Sequence, residues 1–233
     1  MSLPARVTTL LLALVVVVAG AVFVVLHYIG GGPPWENYVP KASGGQVNVI
    51  MQTDAQTSVT DHPDWVSYFI QNPQTGAWDH TTLFQVPANT RVNVTIYGFD
   101  GATPGRNQLW GAVQGAIGGT STVTQVDAKG HASPATATST LSTWNGDVQH
   151  TFQIAGLDLN VPIAAANGTL CTSSPCTTQG NPYSINKFSF MTPAQGGIFR
   201  WNCEIPCGLA FLYGMGGPMQ SLGYMSGEMQ VVS

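Results

Sequence analysis

A charge-free apolar run near the start of the chain is the feature that most constrains its fold. Between Arg6 and Glu36 there is no Asp, Glu, Lys or Arg, and residues 10–26 are almost wholly Leu, Val and Ala. A helix crosses a bilayer with about 20 apolar residues, so the run predicts one N-terminal transmembrane helix. The alternative is a cleaved signal peptide, because residues 19–21 (Ala-Gly-Ala) form a small-residue cleavage pattern. The apolar run continues beyond that pattern, which favours an uncleaved anchor.

The flanking charge predicts how the chain is oriented in the cell membrane. Arg6 is the only charge before the apolar run, which predicts a single-pass protein with a cytoplasmic N-terminus. The remainder would then lie on the external or periplasmic face. We divide the chain into an anchor (1–30), a linker that follows the Gly-Gly-Gly-Pro-Pro break (31–46) and an external domain (47–233).

Charge is scarce throughout the chain. Only 8% of the residues are charged, against about 25% in a typical soluble domain. The formal net charge is −4, so the composition gives no basic surface for nucleic acid. Two explanations for the few carboxylates stay open. An acidic exterior would protonate them and remove their stabilising interactions, and burial against membrane partners would also disfavour charge.

Alternating apolar residues predict an all-β external domain. Residues 83–97 hold the clearest pattern, because two alternating runs flank a Pro-Ala-Asn-Thr turn and predict a pair of adjacent strands. Residues 54–72 are polar and predict an irregular segment with aromatic side chains over the core. Further strand patterns occur at 47–51, 148–162, 188–203 and 225–232. Many short strands separated by turns are typical of a β-sandwich or open barrel.

Four cysteines form two candidate pairs. Cys171 and Cys176 lie in a polar, turn-rich loop of an exported domain, which predicts a disulfide. Cys203 and Cys207 stand four residues apart, and they either close a tight disulfide loop or act as metal ligands.

Three patches of the external domain resemble subunit II of the haem-copper oxidases, the cytochrome c and quinol oxidase family. They are residues 86–100, 147–163 and 193–233, and the strongest signals are His150 followed by Thr-Phe-Gln-Ile and the Cys-x3-Cys-Gly segment at 203–208. The single N-terminal span resembles the one-anchor form of that subunit. The resemblance implies a cupredoxin-like sandwich or barrel, with insertions near 101–146 and 211–222.

The resemblance also implies a metal centre. The family's two-copper centre uses two histidines, two bridging thiolates, a methionine and a backbone carbonyl, and thiolate and imidazole ligands suit copper. Carried over by position, the ligands are His150, Cys203, Ile205 (through its carbonyl), Cys207 and Met225, with Met215 and Met219 as rivals for the methionine. The second histidine is replaced by Phe211, so we expect an incomplete centre. Copper is then a candidate cofactor of this chain, whereas haem and copper belong to the partner subunit.

Three functions follow from these patterns. The first is a non-catalytic subunit of a quinol-oxidising haem-copper oxidase, which caps the catalytic subunit and has lost its two-copper centre. The second is a membrane-anchored copper electron-transfer protein with a remodelled or mononuclear site. The third is a non-redox cupredoxin subunit of another membrane complex. The implied partners are the catalytic subunit, other membrane subunits, and quinol or a soluble electron donor.

Overall fold

The computed structural model of this chain forms two compact units, residues 1–33 and 34–233. The structure describes residues 3–24, 33–39, 45–56, 62, 64–105, 107–207 and 216–233, with side chains from residue 11 onward.

The first unit contains one helix, α1 (Leu3–Val24). Pro4 lies in its first turn, where the missing N–H would have no intrahelical acceptor. The side chains of residues 11–24 are all exposed. In the part of the chain that the structure describes, we find no helix that combines the length and the apolar character needed to cross a membrane.

The second unit confirms the all-β prediction, since two mixed sheets supply its framework. The first sheet has the spatial order β1 (Trp35–Asn37), β5 (Leu83–Pro87), β13 (Ser226–Val232), β12 (Gly197–Asn202), β9 (Val148–Ile154) and β10 (Leu159–Ala164). The second has the order β4 (Trp78–Asp79), β3 (Ser67–Gln71), β2 (Gln46–Asp54), β6 (Arg91–Gly98), β11 (Tyr183–Met191), β7 (Ser121–Val126) and β8 (Thr136–Thr138).

The core lies where apolar side chains of the two sheets meet. Alternate residues of β6 are buried, as expected for a strand with one face toward a core. From the first sheet, Trp201 is fully buried. Its ring lies 4.9 Å from that of Phe152 and 5.1 Å from that of Tyr68, between ring centroids. This aromatic group joins the strands that carry the candidate ligands to the opposite sheet.

The predicted pairing of the two strands within residues 83–97 is wrong. β5 pairs in parallel with β1 and β13, whereas β6 belongs to the other sheet and pairs with β2 and β11. The chain changes sheets at Asn89, which adopts a left-handed conformation with φ 49°. Period-two alternation identifies the buried face of a strand but not its partner, so it could not separate a hairpin from a crossing between sheets.

Two segments contain more regular structure than their composition indicates. Residues 54–72 were predicted to be irregular, but β3 pairs there with β2. The predicted insertion 101–146 contributes β7 and β8, and β7 pairs with β11. β8 lies at the edge of the second sheet with β7 beside it, and the small polar residues of both strands gave no alternating apolar pattern. The strand patterns near 148–162 and 225–232 are confirmed by β9, β10 and β13.

The predicted disulfide between Cys171 and Cys176 is confirmed. Its loop covers the buried carboxyl group of Asp54. Ser174 Oγ donates to Asp54 Oδ2 at 2.8 Å, and the Cys176 backbone N–H donates to the same oxygen at 3.0 Å. The disulfide loop is therefore tied to β2.

Candidate metal centre

Strands of the first sheet bring the candidate ligands together. His150 is the third residue of β9, and Cys203 follows β12 directly. The two strands are hydrogen-bonded neighbours at a single register point, Asn202 with Gln153. Beyond that point the chain turns through Ile205 to Cys207, and the turn faces His150. The Glu204 backbone N–H donates to Thr151 Oγ1 at 2.7 Å, which fastens the turn to β9.

Three side chains form the centre. The Sγ atoms of Cys203 and Cys207 are 3.1 Å apart, and both cysteines are free thiols. His150 Nδ1 lies 3.2 Å from Cys207 Sγ and 3.8 Å from Cys203 Sγ. All three ligand atoms lie within 4.8 Å of one another. Among the described residues, this is the one group of histidine, cysteine or acidic side chains arranged to share a metal ion.

A backbone carbonyl and a thioether lie beside the thiols. The Ile205 carbonyl oxygen is 2.6 Å from Cys207 Sγ and 3.5 Å from Cys203 Sγ. Met219 Sδ accepts a hydrogen bond from the Cys207 backbone N–H at 3.3 Å. Met225 is fully buried, and its carbonyl accepts from the Cys203 N–H at 2.9 Å. Met219 is thus the methionine whose sulfur contacts the thiol loop, while the contact of Met225 with Cys203 is through its backbone.

Asp100 orients the histidine. Its Oδ2 lies 3.1 Å from His150 Nε2, and its Oδ1 accepts from the Gly101 N–H at 2.6 Å. A carboxylate at Nε2 favours the tautomer with the proton on that nitrogen, so Nδ1 keeps its lone pair for a metal. Such outer partners fix the ring orientation of metal-binding histidines and raise their basicity.

Burial and mutual hydrogen bonding set the protonation of the centre. Burial alone would lower the pKa of His150, but Asp100 and Cys203 outweigh it and raise that pKa to about 9. Burial opposes ionisation of Cys203 as well, yet hydrogen bonds from Cys207 and His150 hold the Cys203 pKa well below its ordinary value. Burial and the adjacent Cys203 raise the pKa of Cys207 well above its ordinary value. Burial thus opposes charge on all three groups, whereas their contacts with one another and with Asp100 shift the pKa values of His150 and Cys203 in the opposite direction.

The structure brings together His150, Cys203, Ile205 and Cys207 of the residues named from the sequence, and it places the fifth, Met225, in backbone contact with Cys203. Phe211 and the rival Met215 lie outside the described residues. Sequence reasoning missed Asp100, which is 50 positions before His150. Its one sequence signal is its place at the end of the first patch that resembles the oxidase subunit, just after β6.

Comparisons with known proteins find similarity at the level of solved structures. No protein-family model matches the chain, and no curated protein does. A copper protein, rusticyanin, matches with a TM-score of 0.33 and 13% identity, covering 84% of this chain and 82% of that one. Reduced rusticyanin matches with a TM-score of 0.33 and 12% identity, covering 84% of each chain. Rusticyanin from Thiobacillus ferrooxidans matches with a TM-score of 0.31 and 14% identity, covering 84% of this chain and 82% of that one.

The chemistry of the donor set fits a soft metal ion. The centre offers two cysteine sulfurs, one imidazole nitrogen and a nearby thioether, which are the ligand types that select copper. Zinc also binds to cysteine sulfur and imidazole nitrogen. Burial of His150 and Cys203, each 1% exposed, would exclude water from that side of the ion. The donor set of the described residues could thus hold a metal ion of this kind.

Proposed function

We propose that this chain is a copper-binding, electron-transferring subunit with a cupredoxin-like domain, equivalent to subunit II of a membrane haem-copper oxidase. The observation that carries the proposal is the convergence of His150, Cys203 and Cys207 within 4.8 Å at one end of a two-sheet sandwich. A degenerate cap would have no need to keep both thiols and the imidazole in contact. The similarity of residues 86–100, 147–163 and 193–233 to the oxidase subunit supports the assignment to that complex.

The protein residues would each have a defined role. Cys203 and Cys207 supply the thiolates, His150 supplies Nδ1, and the Ile205 carbonyl and Met219 lie at the remaining approaches. Bound copper would supply a one-electron couple. The sandwich holds the ligands at nearly fixed positions, so their geometry would change little between the two oxidation states. Asp100 keeps the imidazole aligned throughout.

We also propose that the domain lies on the external face of the cell membrane, anchored by its N-terminal segment. The support is the charge-free stretch between Arg6 and Glu36, together with the Cys171–Cys176 disulfide, which requires an oxidising compartment. The expected partners are a catalytic subunit with haem and copper, and other membrane subunits. Thiol labelling of intact cells after mild reduction should reach Cys171. Labelling that requires lysed membranes would reverse the orientation.

A structural cap in a quinol-oxidising complex is the second candidate. One observation favours it: Phe211 stands where the resemblance expects the second histidine. A centre without that imidazole has one terminal ligand fewer for a pair of coppers. In this case electrons would reach the catalytic subunit from membrane quinol, and the domain would serve for assembly.

Cys203→Ser distinguishes the two functions. In the assembled complex we expect the variant to lose the copper that the catalytic subunit does not account for. Oxygen consumption driven by a reduced soluble carrier should fall by at least about tenfold, the lower limit for loss of even an outer-shell partner. The measurements are metal content and oxygen uptake with the soluble carrier and with quinol, side by side.

The double variant Cys171→Ser/Cys176→Ser is the control for loss of cysteine away from His150: it removes the disulfide, leaves Cys203 and Cys207 in place, and should retain copper. Two results favour the cap instead: a wild-type complex with no copper beyond that of the catalytic subunit, or a Cys203→Ser complex that still uses the soluble carrier at the wild-type rate.

A further inference from the structure

Among the described residues, a pocket lined by His150 and Cys207 gives access to the candidate ligands. His150 and Cys203 are each 1% exposed, whereas Cys207 is partly exposed. A surface pocket of about 270 Å³ opens on the centre, and its lining includes Asp64, Asp100, Thr103, His150, Pro206 and Cys207. An ion that approaches through it meets Cys207 and the edge of His150 before it reaches Cys203.

The pocket carries two carboxylates on the approach to the thiols. Asp64 and Asp100 are its acidic side chains, and among the described residues His150 is the one lining side chain that can carry a positive charge. Asp64 is exposed, so it stands at the outer part of the pocket. Asp100 is 20% exposed in its side chain and contacts His150, so it stands at the inner part. The two carboxylates lie on the approach to the thiols.

We infer that this pocket is the route by which a metal ion reaches the buried ligands, with Asp64 attracting the ion to the outer end. The inference rests on the proposed metal-binding function and adds how the centre is filled. An exposed carboxylate at the mouth of a pocket raises the local concentration of a cation and its association rate. Carboxylate oxygens can replace water around an arriving cation one at a time. Asp64 would act on the rate of loading and leave the final ligand set unchanged.

Loading kinetics test the inference. The probe is cobalt(II), because its thiolate complexes absorb strongly and it does not oxidise thiols. The full-length, reduced chain in detergent is mixed with cobalt(II) in a stopped-flow instrument. We expect Asp64→Asn to load roughly two- to tenfold more slowly, within the lower range of electrostatic steering, and Asp64→Lys to load more slowly still. The final spectrum should match that of the wild type.

Salt and a matched variant separate local attraction from net charge. The difference between wild type and Asp64→Asn should shrink as the Debye length falls from about 30 Å at 0.01 M salt to about 8 Å at 0.15 M. Asp158→Asn removes the same charge from the turn at the other end of β9. Asp158 is exposed with φ 50°, a conformation that asparagine tolerates, and this variant should load at the wild-type rate.

Three results overturn the inference while leaving metal binding intact. These are wild-type loading by Asp64→Asn, equal slowing by Asp158→Asn, and an altered final spectrum in Asp64→Asn, which would make Asp64 a ligand. Absence of any cobalt spectrum in the wild type would instead overturn the proposed metal site, and the loading route with it.

Discussion

His150 shows how one residue can depend on groups far away in sequence. Its two ring nitrogens face different partners, with Asp100 at Nε2 and the thiols at Nδ1. The thiol spacing and the upstream histidine could be predicted from the sequence, since each belongs to a short local pattern. The contact with Asp100 could not, because 50 positions separate the two residues and only the pairing of strands brings them together.

Asp100→Asn should weaken metal binding roughly 10- to 100-fold, as loss of an outer-shell carboxylate does elsewhere. The amide can still accept from Nε2–H but carries no charge, so the imidazole becomes less basic. The measurement is a competition titration of the full-length chain with a chelator, together with the cobalt(II) spectrum, which should shift. Asp158→Asn serves again as control. Unchanged affinity and spectrum in Asp100→Asn would assign Asp100 a purely structural role.

At the scale of elements, tight contact between neighbouring strands fixes β12, the strand that leads into the thiol loop. Gly227 of β13 pairs with Trp201. A Cβ at position 227 would overlap the Trp201 ring and the Thr82 carbonyl oxygen. Trp201 Nε1 donates to that same carbonyl at 3.2 Å. Glycine is required here so that the buried ring can lie against the backbone of β13.

Gly227→Ala should lower the free energy of unfolding by about 2–3 kcal/mol, within the range for overpacked cores. The added methyl must displace Trp201 or the backbone at Thr82. Gly197→Ala in β12 is the matched control, because its added Cβ would have Phe199 at 3.6 Å as its nearest neighbour, an ordinary contact. Chemical denaturation compares the two. Equal stabilities of the two variants would contradict the packing argument.

The strands that sequence reasoning placed correctly include β9 and β13, where apolar residues recur at alternate positions, such as Phe152 with Ile154 and Met229 with Val231. The errors fall where alternation does not identify a partner. β5 and β6 looked like a hairpin because a four-residue turn separates them, yet each pairs in parallel with a distant strand. β7 and β8 have small polar side chains and gave no alternating signal, while the prediction that residues 101–146 are an insertion relative to the oxidase subunit stays a prediction. β5, β6 and β7 each pair with a segment far away in sequence, and a short stretch of sequence does not identify such a partner.

At the scale of the whole molecule, the β-sheet unit of residues 34–233 holds protons that an unfolded chain would release. Burial and Asp79 raise the pKa of Glu36 from 4.5 to about 7. Burial raises the pKa of Asp54 from 3.8 to about 7, although Ser174 and Cys176 oppose it. Both carboxyl groups therefore stabilise the fold most at pH values below the pKa that each has in the unfolded chain, 4.5 for Glu36 and 3.8 for Asp54. This contribution is lost as the pH rises through about 7.

His80 has the opposite effect, because burial lowers its pKa to about 4. Below pH 6.5 the unfolded chain binds a proton at His80 that the folded chain does not, so the fold is destabilised as the pH falls.

We therefore expect stability to decrease between pH 6.5 and 8, where the effect of His80 is nearly complete and the carboxyl effect continues. The raised pKa of His150 and the lowered pKa of Cys203 act in opposite directions across this range. The decrease should be about 1–2 kcal/mol, or roughly 2–8 °C in Tm for a unit of this size. The measurement is thermal unfolding of the metal-free chain across this pH range. The variant Glu36→Gln/Asp54→Asn should show a flatter profile. A wild-type stability that rises from pH 6.5 to 8 would contradict the assignment of these buried carboxyls.

The position of β13 has a consequence for biosynthesis. This strand lies inside the first sheet, between β5 and β12, and residue 83 of β5 pairs with residue 228. During synthesis, β5 cannot pair with β13 until the residues between the two strands have been made. The sheet cannot close until residue 232 has been synthesised, so folding and maturation of the thiol centre must follow synthesis of that strand. A nascent chain kept open for this long suits transport across a membrane before folding, and its metal would then be acquired at the destination.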